Sequence, residues 1–189
     1  MPRTTRTKTK PHKAAAPLPG DATARRQLAR MLRVNQAGEY GAQRIYAGQL
    51  AVLGHDAEIS HMAAQEDVHL DTFNALLVAE RVRPTLLQPV WHMAGFALGV
   101  LTAAMGREAA MACTVAVEEV IVEHYEKQIA PLQKMRPDLA KVVRKFQAEE
   151  DEHRAIGVAN DAEQAPAYPL LRRAIRKASQ TAIWLSERV

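Results

Sequence analysis

The chain has 189 residues, enough for one well-buried domain and too few for two. Its 48% hydrophobic content comes from Ala, Leu, Val, Met and Ile, with aromatics at only 5%, a mixture that suits close-packed helices, while a single cysteine, Cys113, excludes an internal disulfide and a thiolate metal site. The net charge of +4 is concentrated in residues 1–30, where Arg3, Arg6, Lys8, Lys10, Lys13, Arg25, Arg26 and Arg30 face Asp21 alone; the basicity lies in a tail and not on a folded face, which argues against nucleic-acid binding.

Residues 1–20 (MPRTTRTKTKPHKAAAPLPG) are basic, rich in Thr and Pro and nearly free of large apolar groups, the composition of a disordered tail ahead of a helical domain over residues 21–189. The tail has neither the apolar stretch of a secretory signal nor the apolar face of a mitochondrial targeting helix. That tilts the reading toward a bacterial protein on the cytoplasmic face of the cell membrane. In a eukaryote the equivalent place is the matrix side of the mitochondrial inner membrane. The charge itself serves attraction to an anionic membrane surface or plain solubility equally well.

From Asp21 onward the apolar period is near 3.6. The first helix is predicted over residues 22–53, ended by Gly54 and His55; Gly38, Gly41 and Gly48 weaken it but let a neighbouring backbone come close. The second covers residues 58–81 and closes before Pro84, because the residue preceding a proline resists the helical region. Residues 84–106 contain no Lys, Arg, Asp or Glu. With Pro84 and Pro89 breaking its start, the stretch that remains (VWHMAGFALGVLTAAMG) is at the short edge of a bilayer span, and a buried or interface-lying helix is the better reading. Further helices are predicted over residues 108–129, stopped before Pro131, over 139–160, and, after Pro166 and Pro169, over 170–187. No stretch alternates as a half-buried strand does, so the fold class is all-α.

Two segments have the form Glu-x-x-His: Glu66 to His69 and Glu150 to His153. Residues three apart share a helix face, so each segment aims a carboxylate and an imidazole at one place. Each pair interrupts an apolar stripe. Ile59, Met62, Ala63, Leu70, Phe73, Leu76 and Leu77 surround the first, and Leu139, Val142, Val143, Phe146 and Gly157 the second. A carboxylate on such a stripe needs a cation, a proton or a hydrogen-bonding partner.

The preceding helix of each pair offers one further Glu. Glu39 lies on the line of Leu32, Gln36, Gln43, Tyr46, Leu50 and Leu53. Of the adjacent Glu118 and Glu119, Glu118 continues Met111, Thr114, Ile121, Tyr125 and Ile129, whereas Glu119 belongs with Glu123 and Glu126 on a polar flank. The chain thus reads as one helical pair used twice, with two helices giving a Glu and two giving Glu-x-x-His, the arrangement that holds two metals in a helical bundle. Four carboxylates and two neutral imidazoles supply −4, which balances two divalent ions, and the oxygen-rich mixture suits iron or manganese.

The sequence resembles the demethoxyubiquinone hydroxylases of ubiquinone biosynthesis. The resemblance is carried by residues 33–42 (RVNQAGEYGA), 44–49 (RIYAGQ), 81–85 (RVRPT), 95–99 (GFALG), 111–119 (MACTVAVEE), 165–168 (APAY) and 185–188 (LSER), and extends over about residues 26–189. It implies a ferritin-like four-helix bundle with additional amphipathic and hydrophobic helices. It also implies a di-iron monooxygenase that adds one hydroxyl to the demethoxyubiquinone ring. The family's six iron ligands match Glu39, Glu66, His69, Glu118, Glu150 and His153. His124 and Tyr125 match a family position near the metals, with Glu123 standing where some relatives have another His.

The implied co-substrates are dioxygen and NADH, and no Gly-x-Gly-x-x-Gly fingerprint marks a Rossmann-type nicotinamide site. Tyr46 and Tyr125, near the ligand faces, serve either as relays of protons or electrons or simply as hydrogen-bond donors to carboxylates. An isoprenoid-tailed substrate gives the uncharged helix a purpose, with Trp91, Phe96, Leu98, Val100, Leu101 and Met105 dipping into lipid or lining an entrance. The last helix combines Leu170, Leu171, Ile175, Ile183, Trp184 and Leu185 with Arg172, Arg173, Arg176 and Lys177, a pattern fit for a membrane interface. The alternative is that both helices bury those faces on each other or on a second copy, as a homo-oligomer. Mitochondrial relatives work with a lipid-binding partner protein. The same ligands also serve a ferritin-like iron oxidase or storage protein, or a di-iron hydroxylase of another quinone or lipid.

Overall fold

The computed structural model describes residues 23–189, and the basic tail of residues 1–20 lies outside them. Six α-helices follow one another: α1 (Ala24–Leu53), α2 (Ala57–Ala79), α3 (Gln88–Ala104), α4 (Arg107–Met135), α5 (Pro137–Ala159) and α6 (Tyr168–Ser186), with a 3-10 turn at Ala162–Gln164 before the last. Among the described residues there is no strand. α1 packs on α2 and α4 on α5, and these two hairpins face each other as a ferritin-like four-helix bundle. The crossover between them contains α3, which lies along α1, while α6 lies along α4.

Side-chain chemistry sets the ends of these helices. Thr23 accepts from the Arg26 amide and Asp56 from the Ile59 amide, each satisfying a donor that the first turn leaves free. Asp56 also receives Arg107 Nε at 2.6 Å. Arg107 reaches Glu58 and Asn160 as well, so one guanidinium ties the start of α4 to the start of α2 and the end of α5. Gly54 ends α1 with φ 70°, a left-handed turn that other residues adopt only with strain.

The prolines behave differently from the sequence expectation. Pro89 and Pro169 do not precede their helices but sit in the first turn of α3 and α6, as Pro137 does in α5. A missing N–H costs nothing there, and the fixed φ is already helical. Pro131 does not stop α4, which continues to Met135. The one backbone bond forfeited there is outweighed by continued burial of Gln128 and Leu132 on either side. α2 ends two residues earlier than expected, since Arg81 turns to φ 52°.

Glycines explain how α3 comes to lie on α1. A methyl group at Gly48 would meet the carbonyl of Phe96, one at Gly99 the carbonyl of Ile45, and one at Gly95 that of Gly41. Of the three α1 glycines expected to admit a neighbouring backbone, Gly48 does so, whereas a methyl group at Gly38 or Gly41 would meet nothing within 4 Å. On its other side α3 exposes Val90, Met93 and Leu101, and Met105 just past its end is exposed as well. Among the described residues no helix is long and apolar enough to cross a membrane. Two apolar clusters, one around Phe73, Leu132 and Phe146 and one around Ile59, Met62 and Met111, flank a polar centre inside the bundle.

Candidate metal centre

Glu39 on α1, Glu66 and His69 on α2, Glu118 on α4, and Glu150 and His153 on α5 meet in the middle of the bundle, each at most 1% exposed. Their ligand atoms form two sets, each with all atoms within 4.8 Å of one another: Glu39, Glu66, His69 and Glu150, and Glu66, Glu118, Glu150 and His153. Glu66 and Glu150 belong to both sets. Each Glu-x-x-His thus provides a shared carboxylate and one imidazole, and each single Glu closes one end.

Nδ1 of His69 lies 3.0 Å from Glu150 and 3.5 Å from Glu39; Nδ1 of His153 lies 3.2 Å from both Glu66 and Glu150. Burial pushes Glu66 and Glu118 well above the usual carboxylate range, and the charge of Glu150 pushes both further. Burial works against the imidazolium of His69, yet its bonds to Glu150 and Glu39 prevail and raise it to about 10. Buried Glu39 Oε2, both oxygens of Glu66, Glu118 Oε2, Glu150 Oε2 and His153 Nδ1 have no hydrogen-bond partner among the described residues. Orphaned acceptors of this kind in one place are costly unless a cation satisfies them. Four carboxylates and two imidazoles therefore fit a pair of divalent metal ions by charge, donor type and arrangement.

The surroundings hold the carboxylates in place. Tyr46 donates to Glu118 Oε1 at 2.8 Å, and Tyr125 donates to Glu39. Burial first, and the neighbouring carboxylates second, raise both phenols well above their ordinary value, so both keep their protons. Glu119 points away from the centre and receives Arg172 and Arg176 of α6 at 2.7 Å; Arg176 also bonds Glu123. Two of the four basic groups expected near lipid phosphates are thus committed to fixing α6 on α4, and Arg173 and Lys177 remain exposed.

Sequence reasoning overlooked two partners of His124 and two partners of the candidate ligands. Asn35 and Gln128 exchange hydrogen bonds at 2.7 and 2.8 Å, and Nε2 of His124 lies 2.6 Å from Gln128 Nε2. Burial, with Lys127 nearby, lowers His124 to about 4, so its imidazole is neutral at neutral pH. Glu149 lies 3.0 Å from Nε2 of His69, and Gln65 lies 2.9 Å from Nε2 of His153. A signal for the last two existed: each stands one residue before the Glu of a Glu-x-x-His.

A largely apolar cavity of about 180 Å³ lies between α1, α3, α4 and α6. Trp91, Leu98, Ile121 and Ile183 contribute to its wall, and it meets the centre at Glu39 and Tyr125, with His124 beside them. Trp91 is itself held by a 3.0 Å bond from Nε1 to Ser186 Oγ on α6. The two helices added to the four-helix bundle therefore enclose a greasy space that ends on the polar centre.

The family described as ubiquinone biosynthesis protein COQ7 matches residues 26–186. The 3-demethoxyubiquinol 3-hydroxylase of Rhodospirillum rubrum is 53% identical over 176 residues, covering 91% of this chain and 83% of the relative. The mitochondrial NADPH-dependent 3-demethoxyubiquinone 3-hydroxylase of Homo sapiens is 51% identical over 176 residues, covering 89% and 81%. The mitochondrial 5-demethoxyubiquinone hydroxylase of Saccharomyces cerevisiae is 39% identical over 182 residues, covering 86% and 78%.

Proposed function

The chain belongs to the family of ubiquinone biosynthesis protein COQ7 and is a di-iron hydroxylase acting in that biosynthesis; from this premise we propose that its substrate is demethoxyubiquinone and that Glu39, Glu66, His69, Glu118, Glu150 and His153 hold its two irons. Glu66 and Glu150, common to both sets, would hold either ion, while Glu39 with His69 and Glu118 with His153 would complete one site each. The observation that carries the substrate assignment is the apolar cavity ending on Glu39 and Tyr125, a place where a ring meets the metal centre while an isoprenoid tail stays out of water.

Iron bound by these residues supplies the activation of dioxygen, with NADH, or the NADPH that the names of several relatives specify, as the source of electrons. The chain's own residues do the rest. Leu98, Ile121 and Ile183 exclude water around the ring, and Trp91 braces α3 against α6. Tyr46 and Tyr125 hold Glu118 and Glu39 by hydrogen bonds, and Tyr125, its proton committed to Glu39, also borders the cavity. His124, held neutral beside Asn35 and Gln128, offers a polar group at the same wall.

We assign the enzyme to a membrane surface, the cytoplasmic face of a bacterial cell membrane or the matrix face of the mitochondrial inner membrane. Val90, Met93 and Leu101 of α3, Met105 just past its end, and Leu170 and Trp184 of α6 are exposed apolar groups on the two helices that wall the cavity, and insertion there brings the cavity to the lipid that contains its substrate. Family membership points to association with other proteins of ubiquinone biosynthesis.

The test is reconstitution. Iron-loaded protein supplied with reduced nicotinamide, dioxygen and a short-tail demethoxyquinone is expected to yield the ring-hydroxylated product. Absence of turnover by protein shown to contain two irons overturns the substrate assignment.

A further inference from the structure

The repeated unit is longer than Glu-x-x-His. Residues 65–69 (QEDVH) on α2 and 149–153 (EEDEH) on α5 stand in the same register, and the first residue of each reaches the last residue of the other. Gln65 Oε1 lies 2.9 Å from Nε2 of His153, and Glu149 Oε2 lies 3.0 Å from Nε2 of His69. The contacts cross between α2 and α5, which belong to different hairpins. Each helix therefore presents its own carboxylate and imidazole and orients the imidazole of the opposite helix.

A neutral imidazole has one N–H, and an acceptor at Nε2 places it there, leaving the lone pair of Nδ1 for a metal. Both Nδ1 atoms lie among the carboxylates of the centre, and both Nε2 atoms face outward to these acceptors. The two acceptors are not equivalent. Gln65 offers an amide carbonyl. Glu149 offers a carboxylate, whose other oxygen takes Lys145 Nζ at 3.0 Å. A carboxylate behind an imidazole makes it a stronger donor to a metal than a neutral amide does.

We propose that Gln65 and Glu149 are positioning residues that set Nδ1 ligation of the two metals and make those metals unequal. The ion held by Glu39 and His69 binds more tightly and is more easily oxidised than the ion held by Glu118 and His153. This rests on the six-ligand reading above. The asymmetry is built into the chain itself and does not depend on the substrate.

Anaerobic titration with ferrous iron and Mössbauer spectroscopy of the 57Fe-loaded protein read this directly. Wild type is expected to take up two ions in steps separated by roughly tenfold or more and to give two distinct doublets. Glu149→Gln, which keeps size and acceptor but removes the charge, is expected to draw the steps and the doublets together. The exchanged pair Gln65→Glu with Glu149→Gln is expected to separate them again. In a His153→Ala background, Glu149→Leu is expected to weaken the remaining ion by roughly 10–100-fold, while Gln65→Leu leaves it unchanged. Should the leucine variants lose helical circular dichroism, the Gln and Glu exchanges, which preserve volume, decide the matter alone. Unchanged steps and doublets in Glu149→Gln overturn the proposal while leaving the six ligands intact. Fewer than two irons in wild type overturns the ligand reading itself.

Discussion

Tyr46 on α1 and Glu118 on α4 are joined by a 2.8 Å hydrogen bond at the heart of the bundle, with both side chains at most 1% exposed. The phenol holds its proton because burial and three neighbouring carboxylates, led by Glu118, disfavour the phenolate. Tyr46 is thus a donor with no competing solvent. Tyr46→Phe keeps the ring and removes the donor, leaving Glu118 Oε1 without its partner. Destabilisation of about 1–3 kcal/mol is expected. Urea unfolding in a single metal state checks it, and an unchanged midpoint shows that the bond contributes nothing.

Glu118 and Glu119 are neighbours in sequence with opposite environments. Glu118 is in the set with Glu66, Glu150 and His153, and Glu119 is clasped by Arg172 and Arg176. Glu118→Ala is expected to reduce iron content from two ions to one or none. Glu119→Ala is expected to retain both irons and to lose about 1 kcal/mol of stability as α6 loosens, the scale of a partly exposed ion pair. Metal analysis beside thermal unfolding distinguishes them, and the reverse pattern assigns the ligand to Glu119.

The inward face of Glu118 and the outward face of Glu119 were legible in the sequence because helical periodicity reports which face a residue occupies. The stripe through Met111, Thr114, Ile121 and Tyr125 passes through Glu118 and misses Glu119, and those residues are buried in the fold. Periodicity carries no information about which side chains of different helices meet. The clasp of Arg172 and Arg176 on Glu119, the crossed contacts of Gln65 and Glu149, and the reciprocal amides of Asn35 and Gln128 are all meetings of this kind. Nor does a proline pattern separate a first-turn position from a break. Pro89 and Pro131 look alike in sequence, and their consequences depend on which carbonyl each faces and on what the following turn buries.

Small residues keep the cavity open. Ala182 on α6 faces the same space as Leu98 and Ile121. Ala182→Phe fills it without approaching any of the six metal-centre residues in sequence. Two irons are expected to remain while affinity for a demethoxyquinone falls about tenfold or more, the cost of roughly 1.4 kcal/mol of lost contact or displaced ring. Quenching of Trp91, which lines the same cavity, gives the binding curve, provided that a Trp184→Phe background removes the second tryptophan. Undiminished affinity places the quinone elsewhere.

His124 links the cavity wall to the acid stability of the fold. Burial, with Lys127 adding, lowers its imidazole to about 4, against about 6.5 in an unfolded chain. Between those values the unfolded chain binds a proton that the folded one refuses. The stability associated with a neutral His124 is therefore fully present above pH 6.5 and is lost as pH falls toward 4. The carboxylates of the centre titrate as well, but they are common to wild type and variant and cancel in a difference. His124→Asn, which keeps a polar group beside Asn35 and Gln128, is expected to lose less stability between pH 7 and pH 4 than wild type, by up to about 3 kcal/mol. Urea midpoints of both proteins in the same metal state supply that difference. Equal losses show that His124 is protonated in the fold as readily as in the unfolded chain, and that the neutral polar group assigned to the cavity wall is absent at acid pH.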